Sequence, residues 1–224
     1  MQQKSNRPSV LRIVEENKIV TIARKIPTKK LLPAAEALAK GGVRLLEVTF
    51  DQASPDCLSE TPAQIDALNR IFSDYLCIGA GTVVTKEQVA AAYRAGARFI
   101  VAPDTNPEII GMARSLDMVT FPGALTPTEI LTAHRAGADF VKIFPAETLG
   151  LPYIKSVMAP ISHVPLIAVG GIDEHNISDF LAIGLKGVGI GSNILKKSYI
   201  EDENYEGLSE LARRYVTAAG VRTV

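Results

Sequence analysis

The sequence predicts an α/β fold, a parallel (β/α)8 barrel of the TIM type with an additional helix before its first strand. Eight short runs rich in β-branched residues alternate with eight segments of helical composition. Several of these segments end in Gly-Gly or Gly-Ala, where glycine permits the left-handed conformation that terminates a helix. Because the chain contains no dinucleotide-binding glycine motif, we expect the eight strands to close into a barrel rather than form an open sheet.

The predicted elements alternate along the whole chain. The strands are expected at Ile19–Ala23, Arg44–Thr49, Leu76–Gly79, Phe99–Ala102, Val119–Phe121, Phe140–Phe144, Pro165–Val169 and Gly187–Ile190. The helices are expected at Lys29–Lys40, Glu60–Phe72, Lys86–Ala95, Asn106–Leu116, Pro127–Ala136, Tyr153–Ala159, Glu174–Ile183 and Tyr205–Ala219. The additional helix, over Ser9–Glu16, is expected to cover the barrel floor. No linker interrupts this order, so residues 1–224 are predicted to form one domain.

The composition excludes several classes of function. With 24 basic and 24 acidic residues the formal net charge is zero, and no basic patch of the kind that binds nucleic acid is present. No apolar run approaches the roughly 20 residues that cross a bilayer, so no membrane partner is expected. The first residues do not have the pattern of a secretory signal, and we expect a cytoplasmic protein. The two cysteines and three histidines have no metal-ligand spacing, so neither a metal nor a cofactor is expected.

A lysine in the sixth predicted strand is the first candidate catalytic residue. Lys142 lies between Val141 and Ile143, and both faces of a barrel strand are covered. Burial disfavours the ammonium form, which leaves a neutral amine that can attack a ketone and form a Schiff base. The alternative is a structural lysine, paired with a carboxylate or reaching out from the strand end.

A glutamate in the second predicted strand is the second candidate. Glu47 shares one strand face with Leu45 and Thr49. If that face points into the barrel, Glu47 and Lys142 converge near its C-terminal mouth, where barrels of this fold keep their active sites. A buried carboxyl beside the amine can act as general acid and base. A simple buried salt bridge uses the same two residues, so this alternative stays open.

Two glycine segments near the end of the sequence predict a phosphate site. Gly170 and Gly171 follow the seventh strand, and Gly191 and Ser192 follow the eighth. These two loops frequently bind phosphate in barrels, because their backbone N–H groups can surround the anion. The alternative is that these glycines serve only tight turns.

Two further residues are predicted to contact substrate at the same rim. Arg24 ends the first strand, and its guanidinium matches the geometry of a carboxylate, although a plain surface arginine is the alternative. Thr82, in Gly79-Ala80-Gly81-Thr82, carries a hydroxyl directly after the third strand and is expected to orient a carboxylate or carbonyl of the substrate.

These segments together resemble the 2-keto-3-deoxy-6-phosphogluconate (KDPG) and 4-hydroxy-2-oxoglutarate (KHG) aldolase family. The resemblance runs from about residue 10 to about residue 217. It rests on Leu46-Glu47-Val48-Thr49, Gly79-Ala80-Gly81-Thr82-Val83, Val101-Ala102-Pro103, Pro122-Gly123, Lys142-Ile143-Phe144-Pro145-Ala146-Glu147, Gly170-Gly171-Ile172 and Gly189-Ile190-Gly191-Ser192.

The resemblance implies a metal-free class I aldolase of carbohydrate metabolism, of the Entner-Doudoroff type, that works as a homotrimer on a phosphorylated 2-oxo acid. It implies that Lys142 forms the Schiff base and that Glu47 moves protons. Thr82, Pro103 and Phe144 are implied at the pyruvate end, where Thr49 is also expected, and Gly170, Gly171 and Ser192 at the phosphate.

The sequence departs from the family pattern at two positions. Asp51 stands where many members carry an arginine that helps bind the carboxylate, and Val169 stands where a threonine is frequent. The family resemblance therefore predicts aldolase chemistry without defining the substrate or its configuration at C4. Two alternatives remain: an isomerase or decarboxylase on a related phosphate-binding barrel, and a non-catalytic protein that binds sugar phosphates.

Overall fold

A computed structural model describes residues 7–221. The strands are β1 (Ile19–Ala23), β2 (Leu45–Thr49), β3 (Cys77–Gly81), β4 (Phe99–Val101), β5 (Val119–Phe121), β6 (Gly123–Ala124), β7 (Val141–Ile143), β8 (Leu166–Val169) and β9 (Gly187–Ile190). The helices are α1 (Arg7–Asn17), α2 (Thr28–Lys40), α3 (Cys57–Phe72), α4 (Lys86–Arg94), α5 (Pro107–Ser115), α6 (Pro127–Arg135), α7 (Ala146–Met158), α8 (Ile177–Ala182), α9 (Lys197–Glu201) and α10 (Tyr205–Ala218), with a 3-10 helix over Ala159–Ile161.

The sheet closes into a barrel through its fifth strand, which Pro122 divides into β5 and β6. In the described part of the chain the strands form one parallel sheet in the order β5-β4-β3-β2-β1-β9-β8-β7-β6. Proline has no N–H to donate, so the ladder is interrupted there. The Phe121 carbonyl accepts from the Ala102 N–H at 3.1 Å, and the Pro122 carbonyl accepts from the Lys142 N–H at 2.8 Å. The fifth strand therefore makes hydrogen bonds to the strands on both of its sides, β4 and β7, and the predicted (β/α)8 barrel is confirmed.

Two apolar cores cover the two faces of this sheet. The inner core fills the barrel around Phe99, Phe121 and Phe140, whose successive ring centroids lie 5.6 and 5.2 Å apart. The outer core lies between the strands and the surrounding helices. Because both faces are covered, a polar side chain in mid-strand is buried whichever way it points.

Helix α1 closes the N-terminal end of the barrel. Its Val10 and Val14 belong to the inner core, and Arg7 forms an ion pair with Asp139, two residues before β7. The additional N-terminal helix is therefore confirmed, and it extends beyond the predicted Ser9–Glu16 at both ends.

Two helical segments differ from the prediction. Helix α7 begins at Ala146 rather than at Tyr153, and it bends at Gly150, whose φ is 68° and ψ is 167°. The first half of α7 was not predicted because Gly150 and Pro152 both disfavour a regular helix. Helix α9 was not predicted, since five residues are too few for a helical repeat to show.

No helix within residues 7–221 is long and apolar enough to cross a membrane. The expectation of a single domain over residues 1–224 stays a prediction, because residues 1–6 and 222–224 lie outside the described range.

Candidate active site

The second strand directs Glu47 into the barrel. Leu45 belongs to the inner core, whereas Leu46 and Val48 belong to the outer core, so Glu47 points inward with Leu45. The side chain is 3% exposed. It lies against the Cα atom of Gly81 on the neighbouring strand, where any larger residue would overlap its carboxyl group. A glycine at position 81 is therefore what leaves room for the acid.

The opposite side of the barrel directs Lys142 into the same interior. Phe140 belongs to the inner core, and Val141 and Ile143 belong to the outer core, so Lys142 points inward. It is 8% exposed, and its Nζ atom lies 5.0 Å from the centroid of the Phe144 ring. Phe144 itself is 41% exposed, so the ring that contacts the amine reaches the surface at the barrel mouth.

Burial moves both groups toward their neutral forms. It raises the pKa of the Glu47 carboxyl to about 7, although Lys142 and Arg24 oppose this shift. Burial also lowers the pKa of the Lys142 ammonium, with Glu47 opposing that change and Arg24 adding to it. Desolvation outweighs the attraction between the two charges at both residues. Near neutral pH the site therefore offers a carboxyl that can give or take a proton beside an amine that loses its charge readily.

An open cavity of about 680 Å³ lies at the C-terminal end of the barrel. Six of the predicted site residues border it: Arg24, Phe144, Gly170, Gly171, Gly191 and Ser192. Phe144 borders the cavity and its ring also contacts the Lys142 amine, so the amine lies next to the cavity behind this ring.

The loop after β8 has a backbone that requires glycine. Gly170 and Gly171 have φ values of 105° and 71°, which glycine adopts without strain. A side chain at position 171 would also overlap Glu147. Consecutive glycines in such a loop leave backbone N–H groups free of side-chain cover, as anion sites require.

The other predicted residues lie outside the border of this cavity. Glu47 and Lys142 lie deeper in the barrel. Thr49 is buried on the inner face of β2, two residues beyond Glu47. Thr82 follows β3 with a φ of 54°, and Pro103 is exposed after β4. The structure thus brings all the predicted residues to the interior and mouth of one barrel, but only part of them to the cavity.

Five charged residues of the site were missed in the sequence. Lys25, Lys30, Lys197 and Glu201 border the cavity, and the charge of Asp104 opposes the lowering of the Lys142 pKa. Lys25 and Asp104 each follow a predicted rim residue at the C-terminal end of a strand, which is a signal the sequence contained. Lys30 and Lys197 belong to helices, and nothing local distinguishes them from solvated surface lysines.

Imine chemistry needs an amine that is neutral near pH 7 and a neighbouring group that exchanges protons. Burial shifts Lys142 toward its neutral form, and Glu47, with a pKa raised to about 7, faces the same interior, so fold and site together define a (β/α)8-barrel enzyme with a candidate Schiff-base lysine. No group of three or more His, Cys, Asp and Glu side chains among residues 7–221 is placed to hold a metal ion.

Comparisons with known proteins define the family. The family model for KDPG and KHG aldolase matches residues 10–211. A 2-dehydro-3-deoxy-phosphogluconate aldolase of Haemophilus influenzae is 34% identical, covering 92% of this chain and 95% of its own. A 2-dehydro-3-deoxy-6-phosphogalactonate aldolase of Escherichia coli is also 34% identical, covering 89% and 93%. The structure of a Legionella pneumophila KDPG aldolase, with pyruvate captured at low pH as a covalent carbinolamine, is 27% identical with a TM-score of 0.81, covering 95% and 98%.

The chain belongs to the KDPG and KHG aldolase family, whose members are aldehyde-lyases. The family resemblance inferred from the sequence is thereby confirmed, and with it the predicted class of enzyme.

Proposed function

We propose that this protein is a class I aldolase that cleaves a 2-keto-3-deoxy-6-phospho sugar acid to pyruvate and glyceraldehyde 3-phosphate. The Lys142 amine attacks the C2 ketone, and loss of water gives a protonated imine. The C4 hydroxyl then loses its proton, the C3–C4 bond breaks, and its electron pair moves toward the imine nitrogen. The aldehyde leaves, and the remaining enamine takes a proton at C3. Hydrolysis of the imine releases pyruvate and the free lysine.

One observation carries this proposal. Lys142 and Glu47 face the same barrel interior, almost fully buried, with pKa values shifted toward each other. Glu47, with a pKa of about 7, can accept the proton of the C4 hydroxyl and return a proton to C3 at neutral pH. Glu47 raises the pKa of Lys142, as a carboxylate neighbour does, but burial outweighs it and the net shift is downward, toward the neutral amine that imine formation needs.

The remaining residues divide between the two ends of the substrate. We assign Arg24, Thr49 and Thr82 to the carboxylate and carbonyl of the pyruvate half, with Pro103 and Phe144 as its apolar walls. We assign Gly170, Gly171, Gly191 and Ser192 to the phosphate. Lys30 at the cavity border supports an anionic group there, whereas Lys25 and Lys197, which also border the cavity, pair with Asp51 and Glu201.

The configuration of the substrate at C4 distinguishes a gluconate-type from a galactonate-type compound. The gluconate-type and galactonate-type relatives are equally identical to this chain, at 34%. We take the gluconate as the primary substrate, with 4-hydroxy-2-oxoglutarate, which releases glyoxylate, as a secondary one. Pyruvate formation from all three compounds, followed with lactate dehydrogenase and NADH, tests this order. Faster turnover of the galactonate-type compound would make that compound, and not the gluconate, the primary substrate.

The phosphate assignment has its own test. In Gly171→Ala the added methyl group overlaps Glu147 and forces an unfavourable φ, so the loop must move. KM for the phosphorylated substrate is expected to rise about tenfold or more, since hydrogen bonds to a charged group are lost. KM for 4-hydroxy-2-oxoglutarate, which has no phosphate, should change little. Equal changes for both substrates would contradict a phosphate site at this loop.

Complete inactivity with all three substrates would instead favour the isomerase, decarboxylase or binding-protein alternatives.

We also propose that the enzyme acts as a cytoplasmic homotrimer. Ile71, Tyr75 and Tyr93 are each about half exposed or more near the ends of α3 and α4, and exposed apolar groups of this kind are commonly covered in oligomers. Light scattering that gave a monomer mass would contradict the trimer.

A further inference from the structure

The loop between β2 and α3 contacts the loops on both of its sides through two adjacent residues. On one side, the Asp51 carboxylate pairs with the Lys25 ammonium at 3.0 Å, in the loop after β1. On the other side, the Gln52 side-chain amide donates to the Thr82 carbonyl at 2.7 Å, directly after β3. One dipeptide therefore ties together the C-terminal ends of three neighbouring strands.

Both residues that this dipeptide contacts have an unfavourable backbone conformation. The φ of Lys25 is 53° and that of Thr82 is 54°, in the left-handed region that residues with a side chain rarely occupy. Such conformations persist where surrounding contacts enforce them, and they concentrate at functional sites. The contacts from Asp51 and Gln52 fall on these two positions.

The dipeptide is itself held in place. The second carboxylate oxygen of Asp51 accepts the Ala53 N–H at 3.2 Å. The side-chain oxygen of Gln52 accepts from the Gln88 side-chain amide at 2.9 Å. Gln88 of α4 is buried, and its own side-chain oxygen accepts the Val84 N–H at 2.8 Å, just before the helix begins. The loop is therefore anchored to a helix and not only to exposed side chains.

The two contacted residues are next to groups that act on the reacting pair. Lys25 follows Arg24, whose charge acts on both Glu47 and Lys142. Thr82 follows Gly81, against which the Glu47 carboxyl packs. Movement of either loop would displace a group that faces the substrate.

We propose that Asp51 and Gln52 are positioning residues that hold Arg24 and Thr82 in place for the carboxylate and carbonyl of the 2-oxo acid. The proposal rests on the aldolase function proposed above. It explains how an acid is tolerated at the rim of a site for anions: the charge of Asp51 is neutralised by Lys25 and is used to fix the loop that carries Arg24.

The test is the pyruvate concentration that half-saturates borohydride trapping, measured for Asp51→Ala and Gln52→Ala. Gln52 is exposed and the Asp51 side chain is 35% exposed, so neither change opens a cavity in the core and the variants are expected to fold. Half-saturation should shift upward about fivefold in each, the factor that one exposed ion pair or hydrogen bond supplies, while the limiting extent of trapping is unchanged. The matched control is Glu108→Ala, which removes an exposed ion pair with Lys86 of 2.7 Å and should bind pyruvate as the wild type does.

The exchanged pair Lys25→Asp with Asp51→Lys provides the rescue. Aspartate tolerates the left-handed conformation at position 25, and the ion pair is restored with opposite polarity. Half-saturation is expected to return to within about twofold of wild type. Unchanged half-saturation in both single variants, with normal trapping, would overturn the positioning role alone. No adduct in the wild type at any pyruvate concentration would overturn the aldolase function, and the positioning role with it.

Discussion

The carboxyl group of Glu47 lies against the Cα atom of Gly81, so closely that a single methyl group at position 81 would overlap it. The two residues lie on the neighbouring strands β2 and β3, both at positions that face the barrel interior. The place of the acid is therefore set by the absence of a side chain on the next strand.

Gly81→Ala is expected to displace the Glu47 carboxyl and lower kcat by about a hundredfold, the lower part of the range for general acid–base catalysis. Overpacking should also lower the free energy of unfolding by about 1–3 kcal/mol. Steady-state cleavage assays and urea unfolding measure the two effects.

The matched control is Gly111→Ala in α5, where an added methyl group meets no atom within 4 Å. This change should leave kcat unaltered and stabilise the helix by about 0.5–1 kcal/mol. Wild-type kcat in Gly81→Ala would mean that the position of Glu47 does not limit catalysis.

The raised pKa of Glu47 predicts a pH-dependent stability. Because the pKa is about 7 in the folded state against an ordinary value of 4.5, the folded protein binds more protons between these values. The free energy of unfolding should therefore fall as pH rises from about 4.5 through 7, by about 3 kcal/mol in total. Burial lowers the pKa of Lys142, which acts in the opposite sense at higher pH.

Glu47→Gln retains Lys142 and separates the two effects. Urea unfolding at pH 5 and pH 8 should show a smaller decrease in the variant than in the wild type. Identical pH dependence in the two proteins would mean that Glu47 titrates near its ordinary value and is not desolvated as the structure indicates.

Asp139 connects the floor helix to the barrel. Its side chain is 2% exposed, pairs with Arg7 of α1, and accepts from the Thr120 N–H at 3.0 Å. Asp139→Ala is expected to lower the free energy of unfolding by about 3 kcal/mol, because it breaks a buried ion pair. Pyruvate trapping per folded molecule should not change, since Asp139 lies at the end of the barrel away from the site.

Asp66→Ala is the control for that change, since it removes an exposed pair between Asp66 and Arg70 on α3. A loss of about 0.5 kcal/mol or less is expected there. Equal losses in the two variants would show that the contacts of the buried Asp139 carboxylate add no stability beyond that of a surface pair.

The sequence predicted the barrel, and it predicted that Lys142 and Glu47 are buried on facing strands, because both predictions depend on local pattern. Strand side chains alternate between the two faces of a sheet, and both faces of a barrel are covered. An isolated lysine or glutamate in an apolar run can therefore be recognised as a buried ionisable residue. The glycine loops after β8 and β9 were found for a similar reason, since their place in the order of strands is informative.

The contacts around the pair depend on folding and were not predictable in this way. Nothing near Asp51 in the sequence indicates Lys25, which is 26 positions earlier, and nothing near Gln52 indicates Thr82, which is 30 positions later. The contact between Gly81 and Glu47 likewise depends on the register between β2 and β3, which forms only on folding. Helix α7 was shortened in the prediction because Gly150 and Pro152 mark a bend inside it rather than its start.

The most direct test of the Schiff-base lysine is reduction with sodium borohydride in the presence of pyruvate, followed by intact mass and peptide mapping. The expected result is one reduced pyruvate adduct on the peptide that contains Lys142. The adduct should be absent in Lys142→Ala and present in Lys155→Ala, which removes an exposed lysine from α7. An adduct on a different lysine, or none in the wild type, would contradict the account.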